Sequence, residues 1–112
     1  MKKIQACFYR SAGGTEPVRE FIKELSLDDK KVIGVDIATV EFGWPVGMPT
    51  CRPLGDGLWE VRSRISDQKI ARVIFCIADG KMILLHGFIK KTQKTPKPDM
   101  DLAKTRKKEM DQ

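Results

Sequence analysis

The sequence predicts a small α+β domain in the order β-α-α-β-β-β-α, with an antiparallel sheet, a helical hairpin and a C-terminal helix. Three observations carry that expectation. Apolar residues recur at helical spacing in two adjacent segments after a short alternating one, so helices follow a first strand. Three strand-like runs then follow one another, two of them joined by Asp79-Gly80, a strong two-residue hairpin turn. The 112 residues, with 41% hydrophobic content, suit one compact domain able to bury roughly two-thirds of its unfolded surface.

The elements follow in chain order. From Lys3 to Arg10 the chain alternates, with Ile4, Ala6 and Phe8 on one side and Lys3, Gln5, Cys7 and Tyr9 on the other, the pattern of a half-buried strand. Gly13-Gly14 breaks it. Thr15 is placed to cap a helix whose Val18, Phe21, Ile22 and Leu25 recur at i, i+3, i+4 and i+7. Ser26 with Asp29 resembles a capping box for a second helix, with Ile33, Ile37 and Val40 facing inward and Gly43 ending it. Residues 43–57 (GWPVGMPTCRPLGDG) are so broken by glycine and proline that they fit neither a helix nor a central strand.

Leu58 to Ile65 alternates again and places Glu60, Arg62 and Arg64 on one face, opposite Trp59, Val61 and Ile65. Lys69 to Ala78 is almost wholly apolar, as a central strand covered on both faces requires. Lys81 to Lys91 returns antiparallel, apolar at its start and cationic at its end. Thr95-Pro96 then reads as the cap and first position of a last helix. Its acids, Asp99 and Asp101, come early and its Lys104, Arg106, Lys107 and Lys108 late, the polarity that a helix dipole favours. Met100 and Ala103 form its docking side.

Charge is unevenly divided. Residues 1–50 hold seven basic and seven acidic residues, whereas residues 51–112 hold fourteen against eight and carry the entire net +6. Such asymmetry favours a polyanionic partner contacting one face. Cys7, Cys51 and Cys76 are odd in number and lack CxxC spacing, which points to buried thiols in a reducing cytoplasm and away from a disulfide framework or a zinc site. With His86 the sole histidine, a His-rich metal centre is excluded. No long apolar stretch predicts a signal peptide or membrane span.

Nucleotide-binding glycine loops, HExxH and Ser-His-Asp arrangements are absent from the sequence. The candidate chemistry therefore lies in basic residues on and beside the sheet. Arg62 and Arg64 share a strand face, and Arg72 interrupts an apolar run where an arginine is costly unless paired or opening into a cleft. A structural ion pair with Glu60 or Asp67 is the plainer role for Arg62 and Arg72. Lys90 and Lys91 end the last strand, and Lys94 and Lys97 follow in a stretch, HGFIKKTQKTPKP, without any acid. Clustered cations bind phosphates and depress the pKa of a member lysine, which can then act as a general base while an arginine fork stabilises a phosphorane-like transition state. RNA supplies its own nucleophile, the 2′-hydroxyl, so a cleft of Lys and Arg suffices in principle to cut it. His86 reads either as a satisfied core residue or as a proton shuttle; its parity places it with Leu84, Phe88 and Lys90. Trp59 and Phe88 are core aromatics or, if exposed, platforms for a base.

The segments GLWEVRSR, KIARVIFCI, KMILLHGFIKKTQKTP and DMDLAKTR, preceded by PVREFIKEL, resemble the RelE/HigB-like toxins of type II toxin–antitoxin systems, in particular their phage-derived-like branch. LLHGFIKKTQKTP with Ala103 and Arg106 downstream is the most specific part. The resemblance implies a RelE-like fold and a ribosome-dependent, metal-independent mRNA endoribonuclease that leaves a 2′,3′-cyclic phosphate and needs no cofactor. It also implies a cognate antitoxin, usually a helix-turn-helix protein, with DNA bound only through the toxin–antitoxin complex. By that resemblance Arg62, Arg72, Lys90 and Lys91 are catalytic candidates and His86 a secondary one, with Arg64, Lys94 and Lys97 contacting RNA. Some relatives use a tyrosine or histidine near the C-terminus, and KKEMDQ contains neither. A binding module that holds nucleic acid without cutting it, or a cleft that docks an acidic partner helix, would use the same basic face.

Overall fold

A computed structural model describes residues 1–90 and 94–110, with the main chain but not the side chain of Lys90. Five strands, β1 (Gln5–Phe8), β2 (Cys51–Gly55), β3 (Leu58–Arg64), β4 (Ile70–Ala78) and β5 (Lys81–Lys90), form one sheet in the order β1-β5-β4-β3-β2. Three helices, α1 (Pro17–Lys23), α2 (Leu27–Gly43) and α3 (Lys97–Met110), complete the α+β domain. Helices α1 and α2 pack against β5, β3 and β1, and α3 packs against β5 and β4.

The sheet is mixed. Strands β2 to β5 run antiparallel because short turns join them, whereas β1 pairs parallel with β5, a direction left open by the two helices that separate it from the other strands. Strand β2 lies inside the stretch 43–57, which fits neither a helix nor a central strand by sequence, and it is an edge strand, one strand more than the expected order contains. Its Pro53 lacks an N–H and its ladder shifts between Pro53 and Gly55, both tolerable because β2 is an edge. The opposite edge is guarded by α2: the Ala6 N–H donates to the buried Glu41 carboxylate over 2.8 Å.

Helix α2 begins as expected, with the Ser26 hydroxyl accepting the Asp29 N–H at 3.2 Å, and ends at Gly43. Thr15 does not cap α1; Glu16 precedes Pro17 and provides no side-chain cap. Asp79 and Gly80, with φ of 53° and 72°, make the turn joining β4 to β5.

Period-two alternation sorts the strands into two layers of core. Toward α1 and α2 lie Val61, Val73, Phe75, Met82 and Leu84, meeting Val18, Ile33, Ile37 and Val40. Toward α3 lie Leu58, Ile74, Cys76 and Leu85, meeting Ala103 and the partly buried Met100. Strand β4 is thus covered on both sides. The register of β4 and β5 slips between Ile74 and Phe75, which face His86 and Leu84, so Leu85 is an extra residue. That bulge separates His86 from Leu84, against the parity expected from sequence: Leu84 faces α1 and α2, while His86 and Phe88 face α3. Gly87 is required by packing, since a Cβ there would lie 2.4 Å from the Phe21 ring.

Candidate nucleic-acid interface

Glu60 on β3 organises one end of the sheet face that carries α3. It is fully buried, and its Oε1 lies 3.8 Å from Arg72 Nη1 and 3.9 Å from Arg62 Nε. Arg62 and Arg72 are register partners across β3 and β4, and Arg52 on β2 stands opposite Glu60. Three guanidiniums therefore gather about one carboxylate. Arg72 has no exposed side-chain surface, and its burial draws its pKa down; Glu60 opposes that shift, while Arg62 and Arg52 add to it. Neither Glu60 Oε1 nor Arg62 Nε has a hydrogen-bond partner among the described residues, although both are buried. Buried polar atoms of that kind are rare and costly unless function accounts for them.

The other Glu60 oxygen, Oε2, accepts the Thr95 hydroxyl at 2.7 Å. That bond draws the segment leading into α3 onto the arginine cluster and sets the exposed Lys94 at its rim. Lys97, also expected to meet RNA, points its ammonium to Asp101 over 2.8 Å on the exposed side of α3, and this hydrogen bond raises its pKa. The backbone of Lys90 pairs with Ile70, which in turn pairs with Arg64, so the three share one row across the sheet. Lys91 lies outside the described residues.

Arg62 is nearly covered, its side chain 14% exposed, whereas Arg64 is open to solvent. Both border a cleft of about 320 Å³ at the end of β3, walled by Val32, Pro49 and Ile70 and carrying Asp36 and Thr50. The Thr50 carbonyl accepts the Arg62 N–H at 2.8 Å, which holds that strand end in place.

Of the candidate residues, then, Arg62, Arg64 and Arg72 meet on one face with Lys94 near them. Arg72 is beneath the surface, in the ion pair with Glu60 that was its plainer expectation, and not with Asp67. His86 belongs to a different cluster. Its Nε2 lies 2.6 Å from Asp99 Oδ1 and its Nδ1 3.3 Å from Arg106 Nη1. Arginine only donates, so Nδ1 accepts and Nε2 carries the hydrogen given to Asp99. The same Arg106 Nη1 donates to the Leu85 carbonyl at 2.8 Å, and its guanidinium lies 5.8 Å over the Tyr9 ring. Tyr9 in turn donates to Glu109, and that bond is the largest cause raising its pKa. This chain of contacts fastens α3 to β5 and β1.

Both candidate aromatic platforms are partly buried and packed against the core. Trp59 packs against Trp44 and Phe75 with centroids 5.2 and 6.1 Å away, and Phe88 stacks on His86 at 5.4 Å. Cys7, Cys51 and Cys76 form no disulfide, and burial, with Glu60 adding to it, pushes the Cys51 thiol up to about 11, so it is an inert neutral group. Among the described residues no group of three His, Cys, Asp or Glu side chains is arranged to hold a metal ion, and no helix is long and apolar enough to cross a membrane.

Arg52, Asp36 and Thr95 were not singled out as site residues from sequence. Arg52 sits in the glycine- and proline-broken stretch 43–57, where no periodicity marks it as the cross-strand partner of Glu60. Thr95 reads from sequence only as a helix cap, and Asp36 lies within the second helix without any motif that marks it.

A comparison with curated proteins found no match. The family model described as phage derived protein Gp49-like (DUF891) matches residues 20–108, from within α1 to near the end of α3, and so spans the Glu60 cluster, the cleft and the His86 contacts. This chain belongs to the phage-derived Gp49-like family.

Proposed function

We propose that this protein is the toxin of a type II toxin–antitoxin system, a RelE/HigB-like endoribonuclease that cuts mRNA on the ribosome. The observation that carries the reading is the cluster of Arg52, Arg62 and Arg72 about Glu60, in which Arg62 Nε is buried without a hydrogen-bond partner among the described residues. A guanidinium N–H left without an acceptor is stabilised by an anion, and an RNA phosphate reaching Arg62 supplies one. The association of the Gp49-like family with the toxins of toxin–antitoxin systems supports the same reading.

In this reading the 2′-hydroxyl loses its proton and attacks the adjacent phosphorus, the bond to the 5′-oxygen breaks, and that oxygen takes up a proton. The products are a 2′,3′-cyclic phosphate and a 5′-hydroxyl. Arg62 forks the non-bridging oxygens as their charge grows. Arg72 adds field from below and holds Glu60, and through it Arg62, in place; its burial assigns it no direct contact. Lys90 or Lys91 is the proposed base or second electrostatic group, and Arg64 and Lys94 meet the flanking backbone. His86, tied to Asp99 and Arg106, takes a structural part. The proposed setting is the cytoplasm, with a helix-turn-helix antitoxin as partner.

Primer extension on an mRNA translated in a purified system tests this. Cuts within codons that appear only with ribosomes and protein together support the reading, and cuts on naked RNA replace it with a freestanding ribonuclease. An absence of cuts during active translation rejects cleavage. The near-complete cover over Arg62 favours, as second reading, a module that binds nucleic acid without cutting it; steep salt dependence of binding with intact RNA distinguishes it.

A further inference from the structure

Asp36 is an anomaly in a cleft suited to phosphates. It is half-buried on α2, shares the cleft of about 320 Å³ with Arg62 and Arg64, and makes no ion pair or side-chain hydrogen bond among the described residues. A carboxylate there repels a phosphate backbone, so it weakens a surface whose sole task is to hold polyanions. The rest of the cleft suits a flat, amphipathic ligand. Val32, Pro49 and Ile70 supply apolar walls, and the volume accommodates one nucleobase with its sugar.

We infer that this cleft receives one guanine base of a single-stranded RNA, read by Asp36, while Arg62 and Arg64 hold the adjoining phosphates. An ionised carboxylate is acceptor-only and has two oxygens side by side. Guanine alone among the four bases presents two adjacent donors on its Watson–Crick edge, N1–H and the N2 amino group, and so matches both oxygens at once. Adenine and cytosine offer a single amino group beside an acceptor nitrogen, which the carboxylate repels. Uracil offers one imide N–H between two carbonyls. Single-stranded RNA is read along such edges when a base is splayed into a pocket. The inference rests on the RNA-cleaving reading for its choice of RNA as the source of the base. It adds a specificity-determining residue on α2, a helix outside the basic face.

Inosine is the sharp probe, because it differs from guanosine only by lacking the 2-amino group. Isotope-labelled protein is titrated with GMP, IMP and UMP, and amide shifts are followed at Val32, Asp36 and Ile70. GMP is expected to bind about tenfold more tightly than IMP, the value of one hydrogen bond to a charged acceptor, with UMP weaker still. Asp36→Asn is expected to erase the difference between GMP and IMP, and Arg62→Ala to weaken both alike. A pentanucleotide with one central guanosine is expected to bind more tightly than GMP, through the flanking phosphates. Equal affinities for GMP and IMP in the unaltered protein overturn the inference, as does no binding of either. GMP binding as tight as the pentanucleotide overturns RNA as the source. These readouts are separate from cleavage: guanine preference without cut mRNA leaves the inference standing and rejects the ribonuclease, and cut mRNA with no guanine preference does the reverse.

Discussion

Two polar clusters lie on the same face of the sheet, and they are built on opposite principles. Around His86 every group has a complement: Asp99 takes the Nε2 hydrogen, Arg106 gives to Nδ1 and to the Leu85 carbonyl, and Glu109 takes the Tyr9 hydroxyl. Around Glu60 the match is incomplete, for Glu60 Oε1 and Arg62 Nε are buried without a hydrogen-bond partner among the described residues. A closed network rigidifies a structure and leaves little for a ligand to gain. An open one costs folding energy that a bound anion can return. The contrast separates a clamp from a site, although both contain the residue types that chemistry uses.

Removing the carboxylate from the open cluster should have the largest effect. Glu60→Ala leaves Arg72 buried without its counter-charge and is expected to cost about 3–5 kcal/mol, measured by urea denaturation. A loss below about 1 kcal/mol would mean that the arginines are solvated in the native state, and the contrast between the clusters would collapse. Arg62→Ala is expected to separate function from stability. It relieves repulsion with Arg72, so the midpoint of unfolding should hold or rise, while ribosome-dependent cutting should fall by roughly 100-fold or more. Unchanged cutting rates would remove Arg62 from the proposed machinery.

His86→Ala should do the reverse in the closed cluster. Asp99 and Arg106 each lose a partner, and the ring that stacks on Phe88 is gone, for an expected loss of about 1–3 kcal/mol. Cutting by the folded fraction should stay close to that of the unaltered protein. If activity fell a hundredfold with stability unchanged, His86 would be the proton shuttle and the clamp assignment would be wrong.

Much of this architecture was legible in the order of residues. The Ser26 cap, the Ile33, Ile37 and Val40 stripe, the Asp79-Gly80 turn and the shared face of Glu60, Arg62 and Arg64 follow from local periodicity and turn chemistry, and local signals survive in a sequence. What was hidden depends on contacts made at a distance or on one inserted residue. The Leu85 bulge moves His86 off the side of Leu84, and nothing in KMILLHGF marks where it falls. The partners of His86 come from a helix 13 and 20 positions along the chain. Arg72 had two candidate acids. Asp67 lost because it sits in an exposed turn with φ near 59°, while Glu60 stands on the next strand within reach. Strand β2 was masked by Pro53 and Gly55, residues that forbid a central strand and are harmless on an edge.

A third carboxylate offers the gentlest test, because its hydrogen-bond partners are neutral and the charge of Lys69 is the least of the causes acting on it. Asp29, buried at the start of α2, accepts the Ser66 N–H at 3.0 Å and the Ser66 hydroxyl at 2.9 Å, which ties the helix to the turn between β3 and β4. The Ser66 N–H is the main cause holding its pKa below the usual value of 3.8; burial opposes it, and the Ser66 and Ser26 hydroxyls and the charge of Lys69 support it. A depressed folded pKa means that the unfolded chain binds the proton more readily, so the contribution is whole above the unfolded pKa and vanishes as pH falls through the folded one. Melting temperatures between pH 5 and pH 2 should therefore fall more steeply for the unaltered protein than for Asp29→Asn, the two curves converging in acid. Parallel curves would show that hydrogen bonds from neutral donors do not tune this carboxylate. Neutral pairing would then be no substitute for the counter-charge that Glu60 receives, and the distinction between closed and open clusters would rest on charge alone.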